Sequence, residues 1–552
     1  MADPVRITFL GGLGEIGRNC ACLEQDGRIL VIDCGLMFPD SEMLGIDLVL
    51  PDFTYLRDNA ERVEACVLTH GHEDHTGGLS YLLRDLSFPI YGSALTLGLA
   101  RNRIEEAGLL DRTELIAVGD GERRHIGPFD CEFIPVTHSV PDGFATAFHT
   151  PQGVILHTGD FKLDLTPVDG RRTDLARIGA LASGPGIRLL LSDSTNAEEP
   201  GYSPSEREVG RRLRNVFRAN EGRRVLAACF ASHIHRIQQI ADAAVASGRK
   251  VATLGRSMAK NVAMARTMGY LHIPDSALID IEQIDTLAPG EVCVISTGSQ
   301  GEPMSAMSLL ATGENRWLKI VEGDVVIISA HAIPGNEYSV NKVIDGLYRL
   351  GAEVVHAGVE DVHVTGHGLQ NELKTMLSVT RPEYFVPVHG EFRHLNAHCH
   401  LAMEMGLEPG HVVLAEDGDV VELGDEGLDF AGTVPDGYLY VDGIVGDVGH
   451  GVLRDRRALA DEGVVVVVVT VDAHSGEVVA TPEIITKGWV YAPEADELLE
   501  EARERAAGAV VSQDEGTIDV EACKRRVRRE VGRLVNERTR RRPMIVPVVV
   551  EA

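Results

Sequence analysis

The sequence predicts a layered α/β fold organised in several domains. Short apolar runs alternate with helical stretches along roughly the first 350 residues, a pattern typical of helices that cover the faces of a sheet. The chain has 552 residues, 44% of them hydrophobic and 24% charged. This is an ordinary globular composition, and the length requires about two to four structural units.

Two regions show this alternation. In the first 200 residues, strands are predicted at 5–10, 29–33, 66–69 and 154–158, and helices near 78–86 and 95–108. From about 206 to 350, helices at 206–220 and 234–246 alternate with strands at 225–229, 251–254, 292–296 and 325–329. The second region is therefore predicted to form an α/β unit of its own.

A third domain is predicted after residue 463. A glycine-rich stretch lies near residue 450 and a run of six valines begins at Val464, so 451–463 reads as a linker and 464–552 as a small α+β domain. A helix from about 517 to 536 places apolar residues on one face (Val520, Cys523, Val527, Val531, Leu534) and basic residues around the rest (Lys524, Arg525, Arg526, Arg528, Arg529). A solvated basic face that pairs with an acidic helix at 494–501 is the favoured interpretation, and an RNA contact or an oligomer interface is the alternative.

Charge and cysteine content narrow the functional classes. The formal net charge of −31 argues against a broad surface that coats nucleic acid, but it leaves room for a local basic channel. The nine cysteines include no CxxC pair and fit reduced thiols. Cys399 lies between two histidines but is expected to pack rather than to bind metal. Without a signal-peptide pattern or a membrane-length apolar stretch, a cytoplasmic location is expected.

The strongest chemical signal is Thr69-His-Gly-His-Glu-Asp-His75, directly after a predicted strand. It holds three imidazoles and a carboxylate in an HxHxDH pattern. In an extended segment His70 and His72 point the same way, and the turn into the next helix brings Asp74 and His75 round from the other side. Zinc uses these nitrogen and oxygen ligands, so the loop is predicted to serve two adjacent metals.

Three further candidates follow apolar runs. They are His138 in Ile134-Pro-Val-Thr-His, Asp160 in Ile155-Leu-His-Thr-Gly-Asp and His389 in Pro387-Val-His-Gly-Glu. Each is weak alone, because a histidine at the end of a strand is more often structural. Beside HxHxDH, His138 and Asp160 supply a missing ligand and a bridging carboxylate.

A competing interpretation starts from Gly12-Leu-Gly-Glu-Ile-Gly17, which fits the GxGxxG fingerprint of dinucleotide-binding proteins. That fingerprint needs a full helix between two strands. Here only residues 18–25 precede the Asp26-Gly27 turn, and Cys20-Ala-Cys-Leu is typical of an extended segment. A hairpin with a glycine loop is predicted instead, which disfavours an NAD-dependent oxidoreductase.

The metal motifs resemble those of the metallo-β-lactamase superfamily, whose fold is an αββα sandwich. The resemblance implies one zinc held by His70, His72 and His138, and a second held by Asp74, His75 and His389. Asp160 would bridge the two zinc ions, and Asp33 would orient ligands without binding metal. Positions 160 and 389 are 229 residues apart. So long an insertion resembles the β-CASP domain of nucleic-acid-processing members, which implies a sandwich domain at 1–205 and 356–450 interrupted by a β-CASP domain at 206–355.

Several shorter motifs resemble the ribonuclease J branch in particular. They are Gly11-Gly-Leu-Gly-Glu-Ile-Gly, Ser192-Asp-Ser-Thr-Asn, Phe230-Ala-Ser-His-Ile-His-Arg, Thr297-Gly-Ser-Gln-Gly-Glu-Pro, Ile333-Pro-Gly-Asn-Glu and His363-Val-Thr-Gly-His. Two places depart from the family pattern. Val364-Thr365 stand where smaller residues are common, and His331 is unusual at its position.

The resemblance implies a zinc-dependent ribonuclease with 5′-to-3′ exonuclease and endonuclease activity on single-stranded RNA. It would act in RNA maturation and mRNA decay and leave 5′-phosphate products. Asp74, Asp193 and His367 are the candidate catalytic residues, and His367 is the candidate for protonating the leaving 3′ oxygen. A pocket for the RNA 5′-phosphate is expected from two loops, the first with Ser232, His233, Ile234 and His235 and the second with His363, Val364, Thr365, Gly366 and His367.

The resemblance also bears on cofactors and partners. It implies a homodimer or homotetramer through the C-terminal domain, partner proteins for RNA degradation, and a structural calcium at Gly45, Asp47 and Asp442, where surface carboxylates are the commoner explanation. Manganese could replace zinc, because the two ions tolerate overlapping ligand sets. A DNA-directed β-CASP nuclease and a small-molecule metallo-hydrolase remain the alternatives, and the long insertion counts against the second.

Overall fold

The computed structural model describes residues 3–40, 42–302, 304–333, 336–443, 445–446, 448–472, 475, 477–489, 495–510 and 519–552. The chain forms two compact units. The larger consists of Met1–Phe38 and Leu48–Tyr438, and the smaller consists of Pro39–Asp47 and Leu439–Ala552. Among the described residues, no helix combines the length and the hydrophobicity needed to cross a membrane.

Two sheets pack face to face in the larger unit. The first has eight strands, in the order Gly427–Thr433, Asp419–Gly424, Val5–Gly11, Cys20–Gln25, Arg28–Ile32, Val63–Val67, Ile90–Gly92 and Leu115–Ala117. The second has six, in the order Tyr384–Val388, Ile187–Asp193, Gly153–His157, Gly143–Thr150, Phe129–Val136 and Arg123–Ile126. Apolar side chains from both sheets, among them Phe9, Phe133 and Val386, share one buried cluster. This cluster is the middle of a sandwich.

Helices cover the sandwich, and the predicted αββα arrangement is confirmed. The helices Leu175–Ser183, Gln370–Thr380 and Phe392–Glu404 pack on the six-stranded sheet through a further apolar cluster that includes Leu377 and Leu401. The helix Ala94–Glu106 packs against the edge of the eight-stranded sheet. The remaining elements of this part are the helices Thr54–Asp58, Glu73–Thr76 and Leu79–Asp85 and the short strands Leu13–Gly14, Leu48–Pro51 and Gly390–Glu391. Many strands of the sandwich are near-continuous apolar runs because they are buried on both faces.

A five-stranded parallel sheet is inserted between two strands of the sandwich. Its order is Lys250–Leu254, Val292–Ser296, Val225–Ala228, Val325–Ile328 and Glu353–Val355. The flanking helices are Glu206–Ala219, Ile234–Ala246, Arg256–Thr267, Ala306–Ala311 and Glu337–Arg349, with a separate apolar cluster on each face of the sheet. The predicted helices and strands of this region are confirmed with ends that differ by one residue at most.

The glycine-rich N-terminal segment forms the predicted hairpin, because Val5–Gly11 pairs antiparallel with Cys20–Gln25 across the glycine loop. Cys20–Gln25 pairs antiparallel with Arg28–Ile32, and the connecting residues Asp26 and Gly27 have φ of 52° and 73°. Such positive φ values suit a two-residue hairpin turn. No helix lies between Val5–Gly11 and Arg28–Ile32, a stretch that is fully described, so the dinucleotide-binding interpretation fails on geometry.

The smaller unit has a three-stranded sheet in the order Glu483–Lys487, Val464–Val471 and Met544–Glu551. The helices Asp496–Gly508 and Val520–Thr539 pack on it around Val467, Trp489 and Val531. Tyr438–Asp442 also pairs with Val445–Gly446. The predicted linker at 451–463 is occupied by a helix, Gly449–Glu462. Its residues after the first glycines are good helix formers, a preference that the glycine-rich start obscures in the sequence.

Some residues of the predicted segments lie outside the described residues. They are Glu494 of the acidic helix, residues 517–518 of the basic helix, and Pro303, Pro334 and Gly335 of two motifs. All nine cysteines are described, and they are buried and free of disulfides.

Candidate metal centre

The HxHxDH loop connects the strand Val63–Val67 to the short helix Glu73–Thr76. His72 stands at the N-cap with extended backbone, φ −73° and ψ 155°. His70 and His72 therefore precede the helix, and Asp74 and His75 lie in its first turn. The loop thus delivers two pairs of side chains from different directions to one buried place, where His70 and His75 are almost inaccessible to solvent.

Three imidazoles form the first half of the centre. His72 Nδ1 lies 3.0 Å from His70 Nε2 and 3.1 Å from His138 Nε2. His138 follows the strand Phe129–Val136, and its Nδ1 donates to the Gly366 carbonyl at 2.8 Å, which turns Nε2 towards the other rings. Burial lowers the pKa of His72 to about 4 and the pKa values of His70 and His138 well below their usual range. Rings held neutral in this way are suited to bind a metal.

A carboxylate and two imidazoles form the second half. Asp74 Oδ2 lies 3.5 Å from His75 Nε2 and 3.4 Å from His389 Nε2, and the two rings stack with centroids 5.2 Å apart. His389 follows the strand Tyr384–Val388 and has a φ of 57°. Its Nδ1 is 2.7 Å from the hydroxyl of Thr195, which fixes the ring with Nε2 towards Asp74.

Asp160 stands between the two halves. Its Oδ2 is 3.5, 3.3, 3.8 and 3.5 Å from ring nitrogens of His70, His75, His138 and His389. The residue is 3% exposed, and this oxygen accepts no hydrogen bond from any described residue. A buried carboxylate oxygen without a donor is costly. Cations on either side of it would satisfy it, and the surrounding nitrogen and oxygen donors are those of zinc sites.

A carboxylate–imidazole pair borders the same cluster. His367 Nδ1 donates to Asp193 Oδ2 at 2.8 Å, and the His367 ring lies 5.0 Å from that of His138 and 5.3 Å from that of His389. Desolvation lowers the pKa of His367, but Asp193 outweighs this effect and raises it to about 9. Ligand atoms of Asp160, Asp193, His367 and His389 also lie within 4.8 Å of one another.

The ligands are supported from behind by further polar groups. Asp33 Oδ2 is 2.7 Å from His75 Nδ1, and the same carboxylate accepts from the backbone and the hydroxyl of Thr69 at 2.8 and 2.7 Å. Hydrogen bonds of this kind fix the tautomer and orientation of ligating histidines.

Sequence reasoning missed three supporting residues. Asn19 Nδ2 donates to the Asp74 carbonyl at 3.0 Å and lies 3.2 Å from His75 Nε2. Thr195 donates to Asp193 at 2.8 Å while it contacts His389, so it couples the two. His157 lines a cavity of about 30 Å³ behind the ligands, enough for one water. Thr195 lies within the motif at 192–196, and Asn19 stands two residues beyond the glycine-rich motif that ends at Gly17, but only the fold brings them to the ligands.

The second loop of the predicted phosphate pocket runs from His363 to His367. The His367 N–H donates to Thr365 Oγ1 at 3.1 Å, and no described residue accepts a hydrogen bond from the backbone N–H groups of the four residues before it. Two backbone carbonyls in or next to this loop accept hydrogen bonds from buried cationic side chains. Arg236 donates to the Val362 carbonyl at 3.0 Å, and Lys162 donates to the Thr365 carbonyl at 3.1 Å. The loop therefore keeps its amides available beside His367.

The residues of the first loop of that pocket, Ser232 to His235, differ in how free their polar groups are. His233 is 1% exposed with no hydrogen bond at either ring nitrogen among the described residues, although Nε2 is 3.4 Å from the Glu206 carboxylate. The side chain of Ile234 is in the apolar core and its amide donates to the Ser232 carbonyl at 2.9 Å, so it offers no free group to a phosphate. His235 Nε2 lies 3.2 Å from the Asp169 carboxylate.

The residues predicted to hold calcium lie in the smaller unit. Asp442 pairs with the Arg456 guanidinium, which also donates to the Gly45 carbonyl at 3.1 Å. Asp47 accepts from the Gly443 amide at 2.7 Å. The cation beside Asp442 is thus a guanidinium, and calcium there stays a prediction.

Comparison with protein families matches four parts of the chain. Residues 13–200 match the metallo-beta-lactamase superfamily, and residues 222–347 match the ribonuclease J beta-CASP domain. Residues 353–413 match the Zn-dependent metallo-hydrolase RNA specificity domain, and residues 451–552 match the ribonuclease J C-terminal domain.

Two curated relatives align with this chain over nearly its full length. Ribonuclease J of Mycolicibacterium smegmatis is 43% identical over 549 residues, which cover 99% of this chain and 97% of the relative. Ribonuclease J2 of Bacillus subtilis is 41% identical over 551 residues, 100% of this chain and 99% of the relative. A crystal structure of a protein of unknown function from Enterococcus faecalis V583 covers 76% of this chain and 100% of its own with a TM-score of 0.55. At 18% identity it supports the fold alone.

Proposed function

The chain belongs to the ribonuclease J family, and from that premise we propose that it is a zinc-dependent ribonuclease. It degrades single-stranded RNA from the 5′ end and also cuts internally, leaves 5′-phosphate products, and acts in RNA maturation and mRNA decay. The observation that carries the proposal is the buried ring of metal-binding side chains around Asp160, with the His367–Asp193 pair beside it.

The proposed ligand roles follow the two halves of the centre. His70, His72 and His138 would hold one zinc, Asp74, His75 and His389 would hold the other, and Asp160 lies between the two sets. Zinc supplies two kinds of chemistry in such sites, an ionised water near neutral pH and stabilisation of negative charge on phosphoryl oxygens. Asp33, Asn19 and Thr195 keep the ligands in place through the hydrogen bonds described above.

The proposed acid is His367. Its Nδ1 is fixed by Asp193, so Nε2 is the atom left to give a proton to the leaving 3′ oxygen. Asp193 in turn is held by the Thr195 backbone amide and hydroxyl at 3.0 and 2.8 Å. The pair would therefore act as an oriented proton donor beside the cluster around Asp160, and Asp74, which contacts both His75 and His389, would serve as a ligand.

The proposed 5′ end pocket uses the loop from His363 to Gly366. Consecutive free amides form an anion-binding concavity, and the buried Arg236 and Lys162 behind the loop add positive charge. Ser232 and His233 would complete the pocket from the other loop. A terminal monophosphate bound here would place the first phosphodiester of a single strand at the metal centre.

The experiment uses one RNA sequence with a 5′-monophosphate or a 5′-triphosphate, together with the matching DNA. Products are resolved with the zinc-loaded protein and after chelation. We expect mononucleotides from monophosphorylated RNA, and loss of activity on chelation and in His72→Ala. His125→Ala is the matched control, because that imidazole is 78% exposed on an edge strand. Intact RNA under every metal condition would contradict the proposed ribonuclease activity. Efficient cleavage of the DNA would favour a DNA-directed nuclease.

We further propose a homodimer or homotetramer that forms through the C-terminal domain, with partner proteins for RNA degradation. The match of residues 451–552 to the ribonuclease J C-terminal domain supports the first part. Sedimentation of the full chain tests it, and a monomer at micromolar concentration would contradict it.

A further inference from the structure

The densest positive charge in the chain lies on its last helix. Residues 524–542 contain ten of the 52 lysines and arginines, with only Glu530 and Glu537 as acidic residues. The whole chain carries −31. The protein does not need this basic cluster for solubility, because the excess of Asp and Glu over Lys and Arg in the rest of the chain already provides a large net charge. A basic segment that runs against the composition of its own chain points to an anionic ligand.

The structure arranges part of this segment as a groove. A cavity of about 510 Å³ lies between the helix Val520–Thr539 and the segment that leads into the last strand. Arg528, Arg529, Arg533 and Asn536 line it from the helix, and Arg542 lines it from the opposite side. The helical positions repeat at about four residues, so they share one face. The volume falls within the range of small-ligand sites, about 300–1,000 Å³.

The charges in the groove are poorly balanced. Arg529 and Arg533 share a single carboxylate, Glu530. Arg528 donates to the Ile545 carbonyl at 3.3 Å. The side chain of Arg542 pairs with no described carboxylate, although Glu462 Oε2 accepts from its backbone N–H at 3.3 Å. Two of the four guanidinium groups thus share Glu530, and the other two have no described carboxylate partner. Each has five N–H donors, so most of their hydrogen-bonding capacity is open to a ligand.

The floor of the groove is suited to something larger than an ion. Gly532 and Ile545 lie beneath the arginines, and a Cβ atom at 532 would already sit 3.7 Å from Ile545 Cγ1. The absence of a side chain there keeps the groove deep. Guanidinium groups bind phosphates through paired hydrogen bonds and stack on bases.

We propose that this arginine groove binds the phosphodiester backbone of single-stranded RNA, as a second RNA contact besides the metal centre. The inference rests on the proposed function, which already brings a polyanionic strand to this chain. An acidic segment of another protein or of a second copy offers carboxylates but no bases to stack, so RNA uses more of the groove. The groove strengthens binding of long substrates and takes no part in the chemical step.

The test uses the zinc-loaded full chain and 5′-monophosphorylated RNAs of five and forty nucleotides. In the triple variant Arg529→Ser, Arg533→Ser and Arg542→Ser, KM for the long RNA should rise about tenfold or more with kcat unchanged. Kinetics on the short RNA should not change. The slope of log(kcat/KM) against log salt for the long RNA should become shallower by about two, because each phosphate of a single strand that an arginine neutralises adds about 0.7 to that slope.

Two companion variants separate RNA binding from general charge and folding effects. The control triple variant carries Arg503→Ser, Arg505→Ser and Arg538→Ser. It removes the same number of positive charges from ion-paired arginines in the same unit and should leave KM and the salt slope unchanged. Arg542→Ser alone should still raise KM about threefold if the triple variant fails to fold, because its side chain has no ion pair to lose.

Each result has a definite meaning. No RNA cleavage by the wild type overturns the proposed function itself. Normal cleavage, with the groove variant matching the control triple, overturns the groove and leaves the function intact. A groove variant that changes only sedimentation assigns the groove to a second copy of the chain, and one that changes only capture of an acidic protein assigns it to that partner. Both outcomes overturn the RNA proposal.

Discussion

Asp33 lies one hydrogen bond behind the metal ligands and controls how His75 faces the centre. Its carboxylate contacts His75 Nδ1 and both donors of Thr69. In Asp33→Asn the side-chain NH2 would face one of the hydrogen-bond donors of His75 and Thr69, so one hydrogen bond would be lost. The negative charge beside His75 would be lost as well. We expect metal affinity or kcat/KM to fall about 10- to 100-fold, measured as kcat/KM against free zinc and as zinc retained after dialysis.

Asp26→Asn is the matched control for that variant. Both aspartates have positive φ, 60° for Asp33 and 52° for Asp26, a region that asparagine also tolerates. Asp26 is exposed in the hairpin turn and contacts no ligand. If the two variants retained zinc equally well, Asp33 would have no role in orienting ligands.

Gly366 is constrained by the ring of His138. A Cβ atom at 366 would lie 2.6 Å from His138 Cε1 and 2.8 Å from its Nδ1, so the ring or the loop must move. Because a displacement of about 1 Å at a reacting centre can cost about 100-fold, we expect kcat/KM of Gly366→Ala to fall by that order. Steady-state cleavage of monophosphorylated RNA measures this. Gly410→Ala meets no atom within 4 Å and should be neutral; equal activity of the two variants would contradict the packing argument.

The same residues show what sequence can and cannot reveal at this scale. His70, His72, Asp74 and His75 lie within six residues, so their chemistry is visible as a local motif. Asn19 and Thr195 have no such signature, because each meets its ligand through contacts 55 and 194 residues away along the chain. Ile234 shows a different limit, since its neighbours suggest a phosphate loop while its side chain belongs to the apolar core, a burial that the motif does not reveal.

At the scale of elements, a buried ion pair joins two helices of the inserted domain to the loop before His363. Arg236 is fully buried and donates to Glu206 at 2.6 Å, to Ser329 Oγ at 2.6 Å and to the Val362 carbonyl. Arg236→Met would leave the Glu206 charge buried and unpaired. We expect a loss of about 3–5 kcal/mol in the free energy of unfolding, measured by urea denaturation of the full chain.

The pH dependence of Glu206→Gln checks the same pair. Burial raises the pKa of Glu206, but Arg236 outweighs this and holds it well below 4.5. A carboxyl group with a lowered pKa stabilises the fold above its unfolded pKa and loses that effect as the pH falls through the folded one. The stability difference between wild type and variant should be constant above about pH 4.5 and shrink below it.

Arg211→Met is the control for both variants. Its ion pair with Glu208 lies on the same helix, but the two side chains are 63% and 49% exposed. Exposed pairs contribute about 1 kcal/mol at most, so this variant should change little at any pH. Equal effects of Arg236→Met and Arg211→Met would show that burial is not the source of the stability.

Elements were predictable where periodicity is strong. The strands of the parallel sheet are short apolar runs between amphipathic helices, so their ends agree with the prediction within a residue. The helix Gly449–Glu462 was not predictable in this way, because three glycines in its neighbourhood look like a linker. The pairing order of the two sandwich sheets also depends on long-range contacts, such as that of Val5–Gly11 with Asp419–Gly424, which no local pattern encodes.

At the scale of the whole molecule, the two compact units differ in what stabilises them. The larger unit holds the entire metal centre, with buried carboxylates and imidazoles that oppose folding unless they are compensated. The described residues of the smaller unit pack around an apolar core that includes Trp489, and none of them belongs to a cluster of metal-binding side chains. Zinc binding at this cluster should therefore add stability to the first unit alone, since a ligand stabilises only the structure that binds it.

The two tryptophans of the chain allow this prediction to be tested without separating the units, because Trp317 lies in the larger unit and Trp489 in the smaller. At a thousandfold excess over its Kd, a metal contributes about 4 kcal/mol. Chelation should then lower the melting midpoint reported by Trp317 in Trp489→Phe by about 5 °C or more. With a chelator selective for zinc, the midpoint reported by Trp489 in Trp317→Phe should stay within about 1 °C, because no residue of the cluster around Asp160 belongs to its unit. If both midpoints fell together, the units would unfold as one, and if neither fell, the buried cluster around Asp160 would not depend on metal.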